Sequence, residues 1–284
     1  MYTPVTWEKS YSELTLADDF MFWKVMSRPA IAKQFLESLF RRSIKSIEFS
    51  GGQSTHKEFA NRPGVRFDVE FHGDGKIYDI EMQNSGSSSE KGILELTNRA
   101  RYYHAMLTQS KYDRRRGYAA LPDSYVIFIC RFDPFGEGRA VYRQEPCILG
   151  LERQLPAHEV TMYLCTRYKN NVGTTVSKDI LEFLNYLETS RVPAGNTLVK
   201  SADFEVKRMR YSPEERRDYM SWQEVLYNVR MRERDLLAES LKQCGVSDEL
   251  LKRAFALAAE KSAVEEEGDH NVPGSSGLGT LNLQ

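Results

Sequence analysis

Acidic and amide side chains concentrate in one short stretch of the chain, DVEFHGDGKIYDIEMQ at residues 68–83. The Asp74-Gly75 pair in its middle predicts a two-residue hairpin turn, because both central positions of such a turn need positive φ. With this turn, Asp68 lies directly opposite Glu81. Side chains alternate between the two faces of a strand. One face of the hairpin therefore collects six polar residues: Arg66, Asp68, Glu70, Asp79, Glu81 and Gln83.

Two carboxylate pairs face each other on this polar surface, Asp68 with Glu81 and Glu70 with Asp79. Cβ atoms of opposed residues lie roughly 4.5–5.5 Å apart, and like charges at that range destabilise a sheet. The repulsion is about 1 kcal/mol in water and larger where water is partly excluded. A divalent cation would offset it, since carboxylate oxygens are ligands that Mg²⁺ prefers. Solvent and salt would also offset it, so a metal site and a solvated acidic surface both remain open.

The other face of the hairpin is apolar and is expected to pack on the core. Its residues are Phe67, Val69, Phe71, Tyr78, Ile80 and Met82. A slip of one residue in the strand pairing would bury the charges and expose these side chains. The sequence therefore specifies the register of the hairpin well.

The composition is that of a soluble globular protein with a sizeable core: 284 residues, 41% hydrophobic and 28% charged. The net charge of −1 does not indicate a nucleic-acid binder, although basic clusters occur at residues 41–42, 114–116 and 207–210. The four cysteines form no CxxC pair, which favours a reducing compartment. The five histidines show no zinc-ligand spacing. With no signal-peptide pattern and no membrane-length apolar run, we expect a cytoplasmic protein without membrane partners.

Hydrophobic periodicity predicts the order of the elements. Helices are expected over residues 14–42, interrupted at Pro29, and over 90–110, 177–190, 213–242 and 247–263. Strands are expected at 44–49, 65–72, 76–83, 124–130 and 159–168, and the polar segment from Glu265 onward is expected to be disordered. The first three strands can form an antiparallel meander, and the fourth can join after a helical crossover. This arrangement is a mixed α/β sheet.

This order, with Asp68 on the second strand and Glu81-Met82-Gln83 on the third, resembles the PD-(D/E)XK nuclease core. More closely, the chain resembles the recombination-promoting nuclease and transposase branch, through LADDFMFWKVM, GVRFDVEFHGDGKIYDIEMQ, NRARYYHAML and YVIFI. The resemblance covers roughly residues 10–245. It implies a restriction-endonuclease-like αβββαβ core within residues 1–175. A helical C-terminal extension would follow at 176–263, and a disordered tail at 264–284.

The resemblance implies a metal-dependent DNA endonuclease that hydrolyses phosphodiester bonds and is linked to recombination or mobile elements. Asp68, Glu81 and the backbone carbonyl of Met82 would hold Mg²⁺ or Mn²⁺. Gln83 stands where the superfamily usually has Lys; it can orient water but carries no charge, and the general base stays unassigned. The alternative is a catalytically silent DNA-binding or protein-interaction module on a nuclease fold. The helices at 213–263 could also pair with a second copy to form a homodimer.

Other polar residues are candidates for the same site, each with a structural alternative. Asp19 matches an acidic position of the family's N-terminal motif and could complete the metal site, or it could cap a helix. Arg66 could contact a phosphate or neutralise the acidic face. On the helix after the hairpin, Lys91, Arg99 and Arg101 are candidate DNA contacts or solvated surface residues.

Overall fold

The computed structural model describes residues 9–50, 69–150, 158–170 and 176–268. Over these residues the chain forms six strands and seven helices. The strands are β1 (Glu48–Phe49), β2 (Val69–Gly73), β3 (Lys76–Gln83), β4 (Asp123–Cys130), β5 (Val141–Gln144) and β6 (Glu159–Cys165). The helices are α1 (Asp19–Met26), α2 (Pro29–Phe40), α3 (Glu90–Lys111), α4 (Lys178–Thr189), α5 (Thr197–Arg210), α6 (Pro213–Gln243) and α7 (Asp248–Gly268).

The strands form one mixed sheet in the order β1-β2-β3-β4-β6-β5. β1, β2 and β3 pair antiparallel, and β4 then joins β3 in parallel through the α3 crossover. β6 pairs parallel with β4, and β5 closes the edge antiparallel to β6. The predicted restriction-endonuclease-like α/β core with a mixed sheet, followed by a helical C-terminal region, is therefore confirmed.

The β2–β3 hairpin has the predicted turn and register. Asp74 and Gly75 both have positive φ, 50° and 70°, and the backbone N–H of Lys45 donates to Asp74 Oδ2 at 3.1 Å. Val69 pairs with Ile80, and the rungs continue without a bulge to the turn. Five of the six residues expected to face the core are buried: Val69, Phe71, Tyr78, Ile80 and Met82. The sixth, Phe67, lies outside the described residues.

Helix α3 covers the polar face of the hairpin and the adjacent strands. It begins where Ser89 Oγ accepts the backbone N–H of Gly92 at 3.1 Å, a standard helix N-cap. Apolar residues at spacings of three and four follow, so one side of the helix packs on the sheet. The cluster between helix and sheet contains Ile77, Leu96, Ala100, Tyr103, Leu107, Val126 and Phe128.

The opposite layer of helices comes from both ends of the first compact unit, Met1–Met220. Phe35 of α2 contacts Phe183 of α4, with ring centroids 5.3 Å apart. Phe40 at the end of α2 contacts Tyr78 of β3 at 6.0 Å. The predicted division at residues 175/176 stays a prediction, and α4 and α5 lie in the same compact unit as the sheet. The second unit is Ser221–Gln284.

Several elements differ from the sequence prediction. Of the strand expected at 44–49, only Glu48–Phe49 pairs with β2. The edge strand β5 and helix α5 were not predicted, and α7 continues to Gly268, so residues 264–268 are helical instead of belonging to a disordered tail. None of the helices in the described part of the chain has an apolar stretch long enough to cross a membrane.

Candidate active site

Glu81 is a buried carboxylate near the end of the central strand β3. Its residue is 2% exposed, and its Oε2 accepts a hydrogen bond from the Tyr103 hydroxyl of α3 at 3.4 Å. The Tyr103 ring packs on Phe128 of β4, with centroids 6.0 Å apart. A packed aromatic residue therefore holds one oxygen of Glu81 in place. This role of Tyr103 was not among the sequence predictions.

Asp79 lies on the same face as Glu81, two residues earlier, and is fully buried. The sequence pattern placed Asp79 opposite Glu70 on the polar face, and that pairing is present, but the burial of Asp79 was not expected. β3 has neighbours on both sides, and α3 covers this face, so water is excluded there. Glu70, on the neighbouring strand, is partly exposed and lies 2.8 Å from His72 Nε2.

Gln83 is oriented by two hydrogen bonds at the end of β3. Its Nε2 donates to the backbone carbonyl of Met82 at 2.9 Å, and its Oε1 accepts from Arg99 Nη1 at 2.5 Å. A guanidinium has only N–H donors, so the amide oxygen must point toward Arg99. The neutral side chain at position 83 thus brings a permanent positive charge to the end of the strand.

Asp19 also lies at this end of β3. Its Oδ1 accepts a hydrogen bond from Asn84 Nδ2 at 2.6 Å. The N-cap position of α1 belongs to Asp18, whose Oδ2 accepts the backbone N–H of Thr15 at 2.6 Å. The helix-cap interpretation of Asp19 is therefore wrong, and its carboxylate is placed beside the strand that carries Glu81 and Gln83.

Two of the other candidates lie away from this arrangement. Lys91 is exposed and pairs with Glu95 one turn along α3, at 3.7 Å. Arg101 lies on the exposed side of the same helix. Arg66 and Asp68 lie outside the described residues, so the predicted pairing of Asp68 with Glu81 remains a prediction.

The donor types present suit a hard divalent cation. The carboxylates of Glu81 and Asp19 and the carbonyl of Met82 are all oxygen ligands, which Mg²⁺ and Mn²⁺ prefer. Within the described ranges, no group of three or more His, Cys, Asp or Glu residues is arranged to hold a metal ion. The position of Asp68 thus decides whether the predicted ligand set can assemble.

A half-buried ion pair fixes the ends of the neighbouring parallel strands β4 and β6. Arg131, directly after β4, donates to both oxygens of Glu188, at 2.9 and 3.2 Å, and Thr166 donates to Glu188 Oε1 at 2.7 Å. Burial would raise the pKa of Glu188, but the hydrogen bonds from Arg131 and Thr166 lower it. The backbone N–H of Arg131 donates to the carbonyl of Gln83 at 3.0 Å. This contact ties the ion pair to the candidate site, and sequence analysis did not identify it.

His104 fastens α3 to the sheet on the same face. It is buried, with Nδ1 2.7 Å from Ser124 Oγ of β4 and Nε2 3.0 Å from Thr161 Oγ1 of β6. Burial lowers the pKa of His104 to about 4, so its ring is neutral near pH 7. Because α3 also carries Arg99 and Tyr103, this anchor helps to position both.

Comparison with known proteins identifies the family of this arrangement. A family model described as PD-(D/E)XK nuclease family transposase matches residues 16–163. The match includes α1 with Asp19, the β2–β3 hairpin, α3, β4 and most of β6. No curated protein and no solved structure matches the chain. Because the matched segment covers more than half of the sequence and contains the whole candidate site, the chain belongs to the PD-(D/E)XK nuclease family transposases.

Proposed function

We propose that this protein is a metal-dependent DNA endonuclease that hydrolyses phosphodiester bonds, acting in recombination or in the movement of mobile elements. The observation that carries the proposal is the hydrogen bond between Arg99 and Gln83, next to the buried carboxylate of Glu81. Through this bond the guanidinium of Arg99 lies beside position 83, the position at which the superfamily usually has Lys. Family membership supports the nuclease chemistry.

Asp68, Glu81 and the Met82 carbonyl are the proposed ligands of Mg²⁺ or Mn²⁺, with Asp19 as a candidate additional acid. When bound, the ion would supply Lewis-acid stabilisation to the scissile phosphate. Tyr103 holds Glu81 through its hydroxyl. The protein thus fixes one carboxylate before DNA arrives, and less ordering remains when substrate binds.

Arg99 is proposed to stabilise negative charge and to take no part in proton transfer. A guanidinium stays protonated at any physiological pH, so it cannot serve as the general base. It can stabilise the negative charge that develops on phosphate oxygens, and a preorganised donor of this kind commonly contributes about 100-fold in rate. Gln83 holds the guanidinium in place by accepting its hydrogen bond.

The first test is relaxation of supercoiled plasmid in Mg²⁺ or Mn²⁺, with EDTA as the metal control. Asp68→Ala and Glu81→Gln should remove cutting, whereas Glu95→Gln should cut like the wild type, since Glu95 is an exposed acid on α3. Circular dichroism and thermal melting establish that each variant is folded. If folded Asp68→Ala and Glu81→Gln proteins cut at the wild-type rate, the site assignment is wrong.

The second test separates Arg99 from other surface charge. Arg99→Ala should slow cutting by about 100-fold, with Arg99→Lys intermediate because it keeps the charge but loses the planar fork. Arg101→Ala is the matched control on the exposed side of the same helix and should retain the wild-type rate. Equal effects of Arg99→Ala and Arg101→Ala would reduce Arg99 to a general DNA contact.

A catalytically silent DNA-binding module is the second candidate, and the neutral Gln83 is the observation that favours it. It predicts binding that weakens steeply with salt and no cutting in either metal.

The homodimer through the C-terminal helices also remains a proposal. Within the second unit, Leu236, Leu237, Leu250 and Leu257 are at least half exposed. Light scattering after size-exclusion chromatography would give a monomer mass if that pairing is absent.

A further inference from the structure

Two exposed tyrosine rings are stacked in the connection between α3 and β4. The ring centroids of Tyr112 and Tyr118 are 5.2 Å apart, and the ring planes differ by 23°. Tyr112 is 42% exposed and Tyr118 is 78% exposed. Burial therefore does not account for the pair, and the outer face of Tyr118 is open to solvent.

A tight turn holds the two rings together. The carbonyl of Asp113 accepts the backbone N–H groups of Arg116 at 2.9 Å and Gly117 at 3.2 Å. Asp113 Oδ1 accepts the backbone N–H of Arg115 at 2.9 Å. Gly117 has a φ of 71°, a conformation that L side chains adopt only with strain, and it turns the chain so that Tyr118 returns to Tyr112. The stacked pair is thus preorganised.

The same segment, residues 111–118, is strongly basic, and we refer to it as the basic–aromatic loop. It contains four cations and one acid. The acid, Asp113, forms its salt bridge with Arg115 at 3.3 Å. Lys111, Arg114 and Arg116 are exposed and form no salt bridge among the described residues. Since the net charge of the whole chain is −1, this positive charge is local.

We propose that the basic–aromatic loop binds unpaired nucleotides of the DNA substrate, with a base stacked on the outer face of Tyr118. Exposed aromatic rings flanked by cations are the usual platform for single-stranded nucleic acid, because every base offers a π-face and the phosphates pair with Lys or Arg. A blunt duplex offers phosphates to the cations but no base face to the ring. The inference rests on the proposed nuclease function and narrows its substrate class to DNA with a single-stranded segment.

Helix α3 connects this loop directly to the candidate active site. Arg99, which contacts Gln83, and Lys111, which ends the helix, lie on one continuous helix. At a rise of 1.5 Å per residue the two positions are roughly 18 Å apart along the axis. Base pairs rise about 3.4 Å each, so the spacing corresponds to about five base pairs. The unpaired segment should therefore lie within about half a turn of the cleavage position.

The experiment measures the anisotropy of three labelled DNAs in EDTA, which separates binding from cutting: an oligo-dT strand, a blunt duplex, and a duplex with a single-stranded tail. Tyr118→Ala should weaken binding of the oligo-dT and tailed DNAs by roughly 10- to 100-fold and leave the blunt duplex unchanged. Tyr118→Phe should bind like the wild type because it keeps the ring. Tyr211→Ala is the matched control, since Tyr211 is 88% exposed and lies outside the loop.

A second readout tests the charges. Arg114→Ala together with Arg116→Ala should lower the salt dependence of oligo-dT binding by about one to two ions. The inference is overturned if Tyr118→Ala binds oligo-dT like the wild type, or weakens blunt-duplex binding equally. If Tyr118 controls single-strand binding but the wild type cuts nothing, the nuclease proposal fails alone. If the wild type cuts plasmid and Tyr118→Ala changes no binding, the loop inference fails alone.

Discussion

His104 should make the stability of the protein depend on pH below neutrality. Its folded-state pKa is lowered to about 4 by burial, from an ordinary value of 6.5. Well above pH 6.5 the ring is neutral in both the folded and the unfolded states. There His104 makes no proton-linked contribution to the free energy of unfolding. Below pH 6.5 the unfolded chain binds a proton that the folded chain does not bind. The free energy of unfolding therefore falls as pH decreases from about 6.5 to about 4.

The size of the effect follows from these two pKa values. At pH 5 the unfolded histidine is almost fully protonated, whereas the folded one is mostly neutral. Relative to pH 7.5, His104 alone should lower the free energy of unfolding by about 2 kcal/mol. Ser124 and Thr161, which contact the two ring nitrogens, carry no charge that could stabilise the imidazolium.

Urea unfolding at pH 7.5, 6.5, 5.5 and 5.0 measures this contribution when wild type and His104→Gln are compared. The variant has no group that titrates at this position. Carboxylates elsewhere affect both proteins equally, so the difference between the two curves isolates His104. The wild type should lose about 2 kcal/mol more than the variant between pH 7.5 and 5. Parallel curves for the two proteins would refute this account of the buried ring.

Three further substitutions test two contacts near the site and the turn of the basic–aromatic loop. Gly86→Ala should destabilise the fold by about 1–3 kcal/mol in urea unfolding, since a Cβ there would collide with the Phe132 ring; unchanged stability would contradict this contact. Glu188→Gln should cost about 1–3 kcal/mol at neutral pH, because Arg131 loses its charged partner, and the deficit should shrink in acid. Gly117→Ala should weaken binding of oligo-dT by straining the turn, with blunt-duplex binding as its control.

The hairpin and the crossover were predictable because their signals are local. Asp74-Gly75 sets the turn, alternation sets the faces, and Ser89 starts α3, all within a few residues of sequence. Helix α5 could also have been found. Its buried residues Leu198, Ala202 and Val206 recur at intervals of four, a spacing that places side chains on one face of a helix. β5 is a four-residue edge strand and gives no comparable signal.

The contacts that define the site were not predictable, because they join residues brought together by the whole fold. Glu81 and Gln83 were identified on β3 from the strand pattern. The hydrogen bonds from Tyr103 and Arg99 depend on the angle at which α3 crosses the sheet, which no local spacing encodes. The burial of Asp79 likewise requires a parallel neighbour and a covering helix. Strand alternation therefore fixes the face on which these residues lie, whereas their exposure to water is set by neighbours that are distant in the sequence.

The parallel pairing of β3 and β4 has a consequence for the order of folding. β2 and β3 are joined by a two-residue turn, whereas Lys76 and its β4 partner, Asp123, are 47 residues apart, with the whole of α3 between them. Local pairings form fast, and distant ones form slowly because loop entropy is lost before contacts are gained. The strand carrying Glu81 can thus take its antiparallel partner early, but Tyr103 reaches that carboxylate only when α3 docks with β4. Activity should therefore measure the fully native population, and partly folded molecules should contribute none.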